Sequence, residues 1–206
     1  MNSVRLVGIS VIFTVIAMAI FASLLATHDP NKSSLDFLQG ASTAHWFGTD
    51  DLGRDIYSRV LFGARTSLFV GIGAAIVATL LGVPIGIAAG YFGGKVDVLV
   101  VQVIDLFIAL PGLVLALIIT AMVGPTLINL MFILGFVMWP TIARLVRGQA
   151  LGIRESVFVE AAKALGGRSS WIIWVHIWPN LLRIVAAQFA ITVSFAIFTS
   201  ASLSFL

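Results

Sequence analysis

Long apolar runs, separated by shorter polar stretches, dominate the 206 residues of this chain. An α-helix rises about 1.5 Å per residue, so roughly 20 apolar residues cross the hydrocarbon of a bilayer. The first run is longer than the apolar part of a cleaved signal peptide, which favours a retained anchor. The pattern predicts five membrane-spanning helices, at residues 6–26, 67–91, 96–123, 127–146 and 181–206.

The composition supports a membrane protein. Apolar residues make up 60% of the chain and charged residues only 10%, whereas a soluble domain has about 25% charged residues. One soluble core of this size could not bury so much apolar surface. We therefore expect an all-α integral membrane protein that forms a single domain in contact with lipid.

The polar side chains argue against several other classes. The twelve basic residues are dispersed and form no run, which argues against binding to nucleic acid. The chain has no cysteine, so neither a disulfide nor a thiolate metal site can form. The three histidines are scattered along the sequence. We therefore expect no metal site and no cofactor on this chain.

Residues 27–65 form the longest polar stretch and are predicted to be an external loop. Within it, residues 51–63 have the spacing of a short amphipathic helix. Such a helix would lie along the membrane surface. Its apolar face would carry Ile56, Tyr57, Val60 and Leu61.

A stripe of small residues follows one face of the second predicted span. Its members recur at four-residue steps, a spacing that lets another backbone approach closely. They are Ala74, Ala78, Gly82, Gly86 and Gly90. A hinge or pore-lining wall and tight helix packing alone are both consistent with the stripe, and packing is favoured. Beside it, Pro84 predicts a kink.

Polar residues interrupt the third predicted span. Gln102 and Asp105 lie three residues apart, on one helix face, and Pro111-Gly112 breaks the run further along. An ionised carboxylate that faced lipid would be costly, so Asp105 should face protein or water and have a partner. Arg144, near the end of the fourth span, is the expected partner. A structural ion pair is favoured over a proton or cation relay.

The distribution of basic residues predicts the topology. With the N-terminus in the cytoplasm, eight of the twelve basic residues lie on the inner side, in keeping with the positive-inside rule. This orientation places residues 147–180 in the cytoplasm.

The cytoplasmic segment, residues 147–180, contains a second amphipathic pattern. Gly166-Gly167 predicts a left-handed helix end, and Pro179 is expected to close the segment before the last span. The residues alone leave two alternatives, a helix docked into another protein and a helix lying on lipid. The predicted apolar face consists of Val157, Phe158, Ala161, Ala162 and Leu165.

One motif in this segment resembles that of a transporter family. Glu160-Ala161-Ala162, followed by Gly166 and Pro179, resembles the EAA loop of binding-protein-dependent ABC importer permeases. Residues 176–180 read HIWPN and are similar to the His-Ile-Leu-Pro-Asn-like run of the peptide and nickel uptake subfamily, with Trp178 in place of the usual leucine.

A second motif points to the same subfamily. Residues 47–55, FGTDDLGRD, followed by Ser58-Arg59, resemble the signature before the second span of its C-type subunit, found in dipeptide and oligopeptide permeases. Asp105 with Pro111, and Ser204-Phe205-Leu206, match it as well. The similarity extends from about residue 5 to the last residue.

The resemblance implies an ABC importer type I permease fold with six spans, so that a sequence with five would lack the sixth. The EAA helix would be a cytoplasmic coupling helix in a cleft of the ATPase. The coupling residues carried over by position are Glu160, Ala161, Ala162 and Gly166, with Val157 and Phe158 beside them.

The resemblance also implies the rest of the assembly. A second homologous permease subunit would share the translocation path, and an extracytoplasmic solute-binding protein would deliver the cargo. Two ATP-binding cassette subunits would hold ATP and magnesium, in the plasma or inner membrane of a bacterium or archaeon. Cargo stays open among dipeptides, oligopeptides, glutathione-like peptides, nickel and metallophores.

Two other functions stay open on the residues alone. Asp105 and the broken third span suit an ion-gradient-driven secondary transporter or channel. The acidic cluster Asp50, Asp51 and Asp55 would suit a membrane enzyme, but we expect no histidine beside it, and helix capping explains it more simply. The sequence 93–96 lacks the Ser/Thr of a phosphate loop, so ATP hydrolysis is expected on a separate chain.

Overall fold

The structure, a computed structural model, describes residues 3–205, and side chains from residue 6 onward. Over that range the regular secondary structure is helical, and the nearest approach to a strand is one bridge between Thr49 and Asp55. The expected all-α fold is confirmed. The helices are α1 (Ser3–Ile20), α2 (Ala22–Leu25), α3 (Ile56–Phe92), α4 (Gly94–Ala109), α5 (Gly112–Val123), α6 (Leu127–Arg154), α7 (Val157–Ala164), α8 (Ser169–Ile172) and α9 (Trp178–Phe205), and a π-helical turn, Ile173–Ile177, joins the last two.

Three described stretches are long and apolar enough to cross a membrane, namely α3, α6 and the continuous helix Ser169–Phe205. Helices α4 and α5 meet at a bend of 83° and add a fourth if they form one broken span. The first apolar run is a shorter helix over Leu6–Ile20. The count of five spans stays a prediction, and Leu206, its last residue, lies outside the described residues.

The predicted helix over residues 51–63 begins too early and is not a separate short helix. Residues 51–55 form turns, and the helix that begins at Ile56 continues to Phe92 and through Pro84. Asp55 fixes its start, because one carboxylate oxygen accepts hydrogen bonds from the amide and hydroxyl of Ser58, at 2.9 and 2.7 Å. No proline interrupts residues 56–67, so the expected surface helix and the second span merge.

The boundaries of the cytoplasmic segment also differ from the prediction. Helix α6 extends past residue 146 to Arg154, since no proline stops it. Pro179 does not close the segment but lies inside the helix Ser169–Phe205. In an α-helix its ring would clash with the carbonyl of Val175. The wider π turn, Ile173–Ile177, lies at that carbonyl and makes room for the ring, so the helix continues.

The chain forms two compact units that divide between Phe69 and Val70. The first unit contains α1, α2, the irregular residues 27–55 and the beginning of α3. Its irregular part is held by short polar side chains. Ser34 Oγ donates to the Gly53 carbonyl at 2.7 Å, and the Gln39 amide donates to Thr49 Oγ1 at 2.9 Å. A loop built in this way needs little apolar core.

In the second unit, α6 packs against α4, α5 and α9. The small-residue stripe of α3 also faces α6 here. A Cβ atom added to Gly82, Gly86 or Gly90 would come within 2.6–2.8 Å of a backbone carbonyl of α6, while Ala74 and Ala78 are fully buried. Close packing between two helix backbones therefore accounts for the four-residue spacing.

Candidate functional site

Helix α7 is a short helix with a sharply defined C-terminus. Gly166 has φ +81°, the left-handed conformation that favours glycine. The Gly167 amide donates to the Ala162 carbonyl and the Gly166 amide to the Lys163 carbonyl, each at 2.9 Å. These two bonds are those of a Schellman motif. The structure thus has the left-handed end that Gly166-Gly167 predicts.

The apolar face of α7 is only partly the predicted one. Ala162 is buried, together with Val159, which the predicted face omits. Both join the core cluster that contains Val146 of α6 and Ile172 of α8. The sequence did carry this signal, because Val159 and Ala162 are three residues apart. Elements of this chain therefore bury one side of the helix.

The other apolar residues of the predicted face remain exposed. Val157 is 82% exposed, Phe158 47% and Leu165 89%, and Ala161 and Glu160 are exposed as well. Burying apolar surface is worth about 25 cal/mol per Å². This part of α7 is thus a small apolar surface that the described residues of the chain leave uncovered.

Two cationic side chains lie on α7 or close to its C-terminal end. Lys163 Nζ lies 5.6 Å from the centre of the Tyr91 ring, a cation–π distance. An open hollow of about 370 Å³ lies beside the C-terminal end of α7, and its lining includes Leu165, Arg168 and Trp171. The helix therefore offers a protruding apolar end next to a recess with a cationic side chain.

The structure brings Asp105 and Arg144 together. Arg144 Nη2 donates to Asp105 Oδ1, which is the ion pair that the sequence predicts. Their side chains are 58% and 50% exposed, and Gln102, on the same helix, is exposed too. The pair thus lies at the surface of this chain, on helices that belong to its apolar membrane segments.

A second ion pair between the same two helices was not predicted. Arg147 Nη2 donates to Asp97 Oδ2 at 2.6 Å, and both side chains are less exposed than those of the first pair. The spacing of the charged residues in the sequence could have indicated this second pair. Asp97 and Asp105 are eight residues apart and Arg144 and Arg147 three, so each pair of like charges shares a helix face.

In the first unit, loop folding brings together residues that are distant in sequence. The rings of His28 and His45 have their centres 4.7 Å apart, and His45 Nδ1 is 2.9 Å from Asp55 Oδ1. The expectations of scattered histidines, and of an acidic cluster with no histidine beside it, are wrong here. The cause is the fold of residues 27–55, which no local pattern encodes.

The helix-capping role expected of the acidic cluster is present for Asp55, which caps α3. Asp50 instead holds a turn, since it accepts from the amides of Leu52 and Arg54, each at 2.9 Å, and Asp51 is exposed. Burial raises the pKa of Asp55, but hydrogen bonds from Ser58 and His45 lower it more, to about 2. The Asp55 carboxylate is therefore ionised at neutral pH.

An all-helical, strongly apolar chain with a short, capped helix in a polar segment has the organisation of a membrane permease subunit. The family described as "Binding-protein-dependent transport system inner membrane component" matches residues 82–206. The chain belongs to this family, the permease subunits of ABC importers, and it is a multi-pass inner-membrane protein. The resemblance to peptide importer permeases is thereby confirmed.

Similar proteins cover the whole length of the chain. It is 41% identical to the dipeptide transport system permease protein DppC of Alkalihalophilus pseudofirmus, over all of the chain and 68% of that protein. It is 36% identical to the oligopeptide transport system permease protein OppC of Bacillus subtilis, again over all of the chain and 68% of the relative. The glutathione transport system permease protein GsiD of Pectobacterium atrosepticum is 36% identical, with 95% of the chain and 65% of the relative covered.

Proposed function

We propose that this chain forms half of the translocation path of an ATP-driven importer for peptides. A second related permease subunit forms the other half, and an extracytoplasmic binding protein delivers the cargo. ATP and magnesium are held by two separate ATP-binding cassette subunits. The similar proteins support this cargo class, since they are named as dipeptide, oligopeptide and glutathione transport permeases. Nickel or a metallophore is the other cargo left open by the resemblance of the sequence.

The observation that carries the proposal is the exposed apolar surface of α7. Val157, Phe158 and Leu165 are exposed on a segment between Arg154 and Arg168 that also carries Glu155, Glu160 and Lys163. So many charges keep the segment out of the hydrocarbon. A protein partner then gives these side chains a place to be buried. Helix α7 is accordingly the surface that docks into the ATPase.

The attachment of α7 suits it to transmit force. Val159 and Ala162 pack in one cluster with residues of α6 and of the helix Ser169–Phe205. Packed interiors deform little, so a displacement of α7 moves the two helices it touches. In the proposed cycle ATP binding brings the ATPase subunits together, the docked helices follow, and the path opens outward as a rigid-body rearrangement.

We further propose that Gln102, Asp105 and Arg144 face the translocation path or the second permease subunit. Their side chains are exposed on this chain, and contact with lipid would be costly for both charges. A water-filled path or a polar surface of the neighbouring subunit removes that cost. The residues lie on α4 and α6. The face of the chain that these two helices form is therefore the one that turns toward the second permease subunit.

The natural absence of cysteine gives a direct test of α7. Leu165→Cys and Leu35→Cys replace leucines of equal exposure, each 89%, one in the docking segment and one in the first unit. Each variant is assembled in membrane vesicles and treated with a membrane-impermeant maleimide. We expect Leu165→Cys to react only from the cytoplasmic side and to be protected when the ATPase subunits are bound.

Leu35→Cys should react from the outer side, with or without the ATPase subunits. Labelling of Leu165→Cys from the outer side would contradict the proposed topology. Equal labelling of Leu165→Cys with and without bound ATPase would contradict docking through α7.

A further inference from the structure

Two imidazoles and a carboxylate converge in the first unit, on residues that the proposed transport function does not use. Asp55 Oδ1 lies 2.9 Å from His45 Nδ1 and 3.9 Å from His28 Nδ1. The three side chains each offer one ligand atom, and these atoms all lie within 4.8 Å of one another. Helix capping explains only part of this arrangement. It uses Asp55 Oδ2 and leaves Oδ1 facing the two histidines.

The Asp55 carboxylate is held in place by hydrogen bonds to its second oxygen, Oδ2. Asp55 is 2% exposed, and its Oδ2 accepts from the amide and hydroxyl of Ser58 and, at 3.3 Å, from the hydroxyl of Thr27. Three donors on one oxygen fix the direction of the other. Metal-binding carboxylates are oriented by outer hydrogen bonds in the same way.

His45 has a similar second contact. It is 7% exposed, and while its Nδ1 faces Asp55, its Nε2 lies 4.0 Å from Asp36 Oδ2. A small movement of the exposed Asp36 side chain would bring its carboxylate to the far nitrogen of the ring, where a carboxylate orients a metal-binding imidazole. His28 differs, since its side chain is 44% exposed. It can therefore adjust its ring and leaves one side of the cluster open to solvent.

We propose that His28, His45 and Asp55 form a binding site for one divalent transition-metal ion, with Zn²⁺ as the best match. Zn²⁺ takes imidazole nitrogen and carboxylate oxygen at about 2.0–2.2 Å, usually in a tetrahedron. Ligand atoms in a tetrahedron of that size are about 3.3–3.5 Å apart. The observed distances of 2.9 and 3.9 Å from Asp55 Oδ1 lie on either side of this value.

The chemistry of the donor set narrows the class of ion. Two nitrogen donors disfavour Ca²⁺ and Mg²⁺, which prefer oxygen ligands. Imidazole suits Zn²⁺, Cu²⁺ and Ni²⁺. The ion would take the place of the proton between His45 and Asp55, and a solvent molecule on the exposed side of His28 would be the fourth ligand. Binding would tie residues 27–45 to the start of α3.

The test measures Zn²⁺ binding to the purified full chain in detergent at neutral pH, by equilibrium dialysis with metal analysis. We expect one ion per wild-type chain and affinity lower by at least about tenfold in His28→Gln. His176→Gln is the matched control, because His176 is the third histidine and its ring contacts Phe158 and Trp171 instead. That control should bind as the wild type does.

Two further measurements keep the test decisive. Thermal unfolding without metal reports whether each variant folds, and His28→Gln should match the wild type because the ring is half exposed. Co²⁺ in place of Zn²⁺ should give the absorption bands of a tetrahedral site in the wild type and lose them in His28→Gln. Equal Zn²⁺ affinity in His28→Gln and wild type, equal loss in His176→Gln, or no stoichiometric binding by the wild type would overturn the proposal. None of these outcomes depends on transport.

Discussion

The irregular residues 27–55 and the segment around α7 both lie outside the helices long enough to cross a membrane, yet they are built in opposite ways. In the first, the buried side chains are polar and hydrogen-bonded: His45, Thr49 and Asp55 are all nearly inaccessible, and Asp55 also bonds to the buried Ser58 at the start of α3. In the second, the C-terminus of α7 is capped and one side of the helix is packed in the core, and apolar residues are still exposed. A segment that satisfies its own polar groups has no need of a partner.

The exposure of single residues does not distinguish residues 27–55 from the segment around α7. Leu35 and Leu165 are equally exposed, but Leu35 lies on irregular backbone, in a stretch where Phe37 and Leu38 are exposed as well. Exposed apolar side chains at a surface are ordinary. Leu165 directly follows α7, a helix that is packed on one side and also exposes Val157 and Phe158, and it lines a hollow. Exposed apolar residues on a rigid, packed helix are what indicate a docking surface.

The largest effect is expected from removing the centre of the polar network. Asp55→Ala leaves Ser58 and His45 without their buried acceptor and should destabilise the chain by about 3 kcal/mol. Asp51→Ala removes an exposed carboxylate of the same cluster and should be nearly silent. Thermal unfolding of the purified proteins measures both. If the two variants unfold at the same temperature, the polar network around Asp55 does not stabilise residues 27–55 as described.

Acid should remove part of the same stabilisation. The pKa of Asp55 is lowered from 3.8 to about 2, so the unfolded chain takes up a proton before the folded chain does. The contribution of Asp55, about 2 kcal/mol, is then complete above pH 4 and is lost as the pH falls toward 2. Unfolding temperatures measured between pH 5 and pH 2 should fall more steeply for the wild type than for Asp55→Ala.

A charge at the docking surface should affect transport and leave stability unchanged. Leu165→Asp places a carboxylate in the proposed ATPase contact, and we expect uptake and stimulated ATPase activity to fall about tenfold together, or about 1.4 kcal/mol. Leu35→Asp is the control and should transport normally. Both are assayed in the assembled transporter in liposomes. Normal transport by Leu165→Asp, or equally impaired transport by Leu35→Asp, would contradict the distinction between the two segments.

The smallest effect concerns the end of α7. Gly166→Ala meets no neighbouring atom but requires a left-handed residue at φ +81°, at a cost of about 1 kcal/mol. Gly152→Ala, in α6 with equally open space, has helical backbone and should be neutral or slightly stabilising. Hydrogen exchange of the Gly167 amide, which donates to Ala162, should accelerate only in Gly166→Ala.

Local rules predicted those features that depend on neighbouring residues. The left-handed end at Gly166 follows from glycine chemistry, and the partnership of Asp105 with Arg144 follows from the cost of a charge in lipid. Helix boundaries were less predictable, because Pro179 is a breaker in an α-helix but not after a π turn. The meeting of His28 with Asp55 was not predictable, since it depends on a loop whose path is set by many weak polar contacts.

The π turn before Pro179 also sets the register of the last long helix. Ile172 and Ile177 are both fully buried although they are five residues apart, a separation that would point them about 140° away from each other on a regular α-helix. After the turn, Leu181 and Val185 are buried at the ordinary four-residue step. The extra residue thus aligns the face that meets α7 with the face that continues into the membrane helix. Deleting one residue between Ile173 and Ile177 would restore regular winding and rotate one of these faces out of the core.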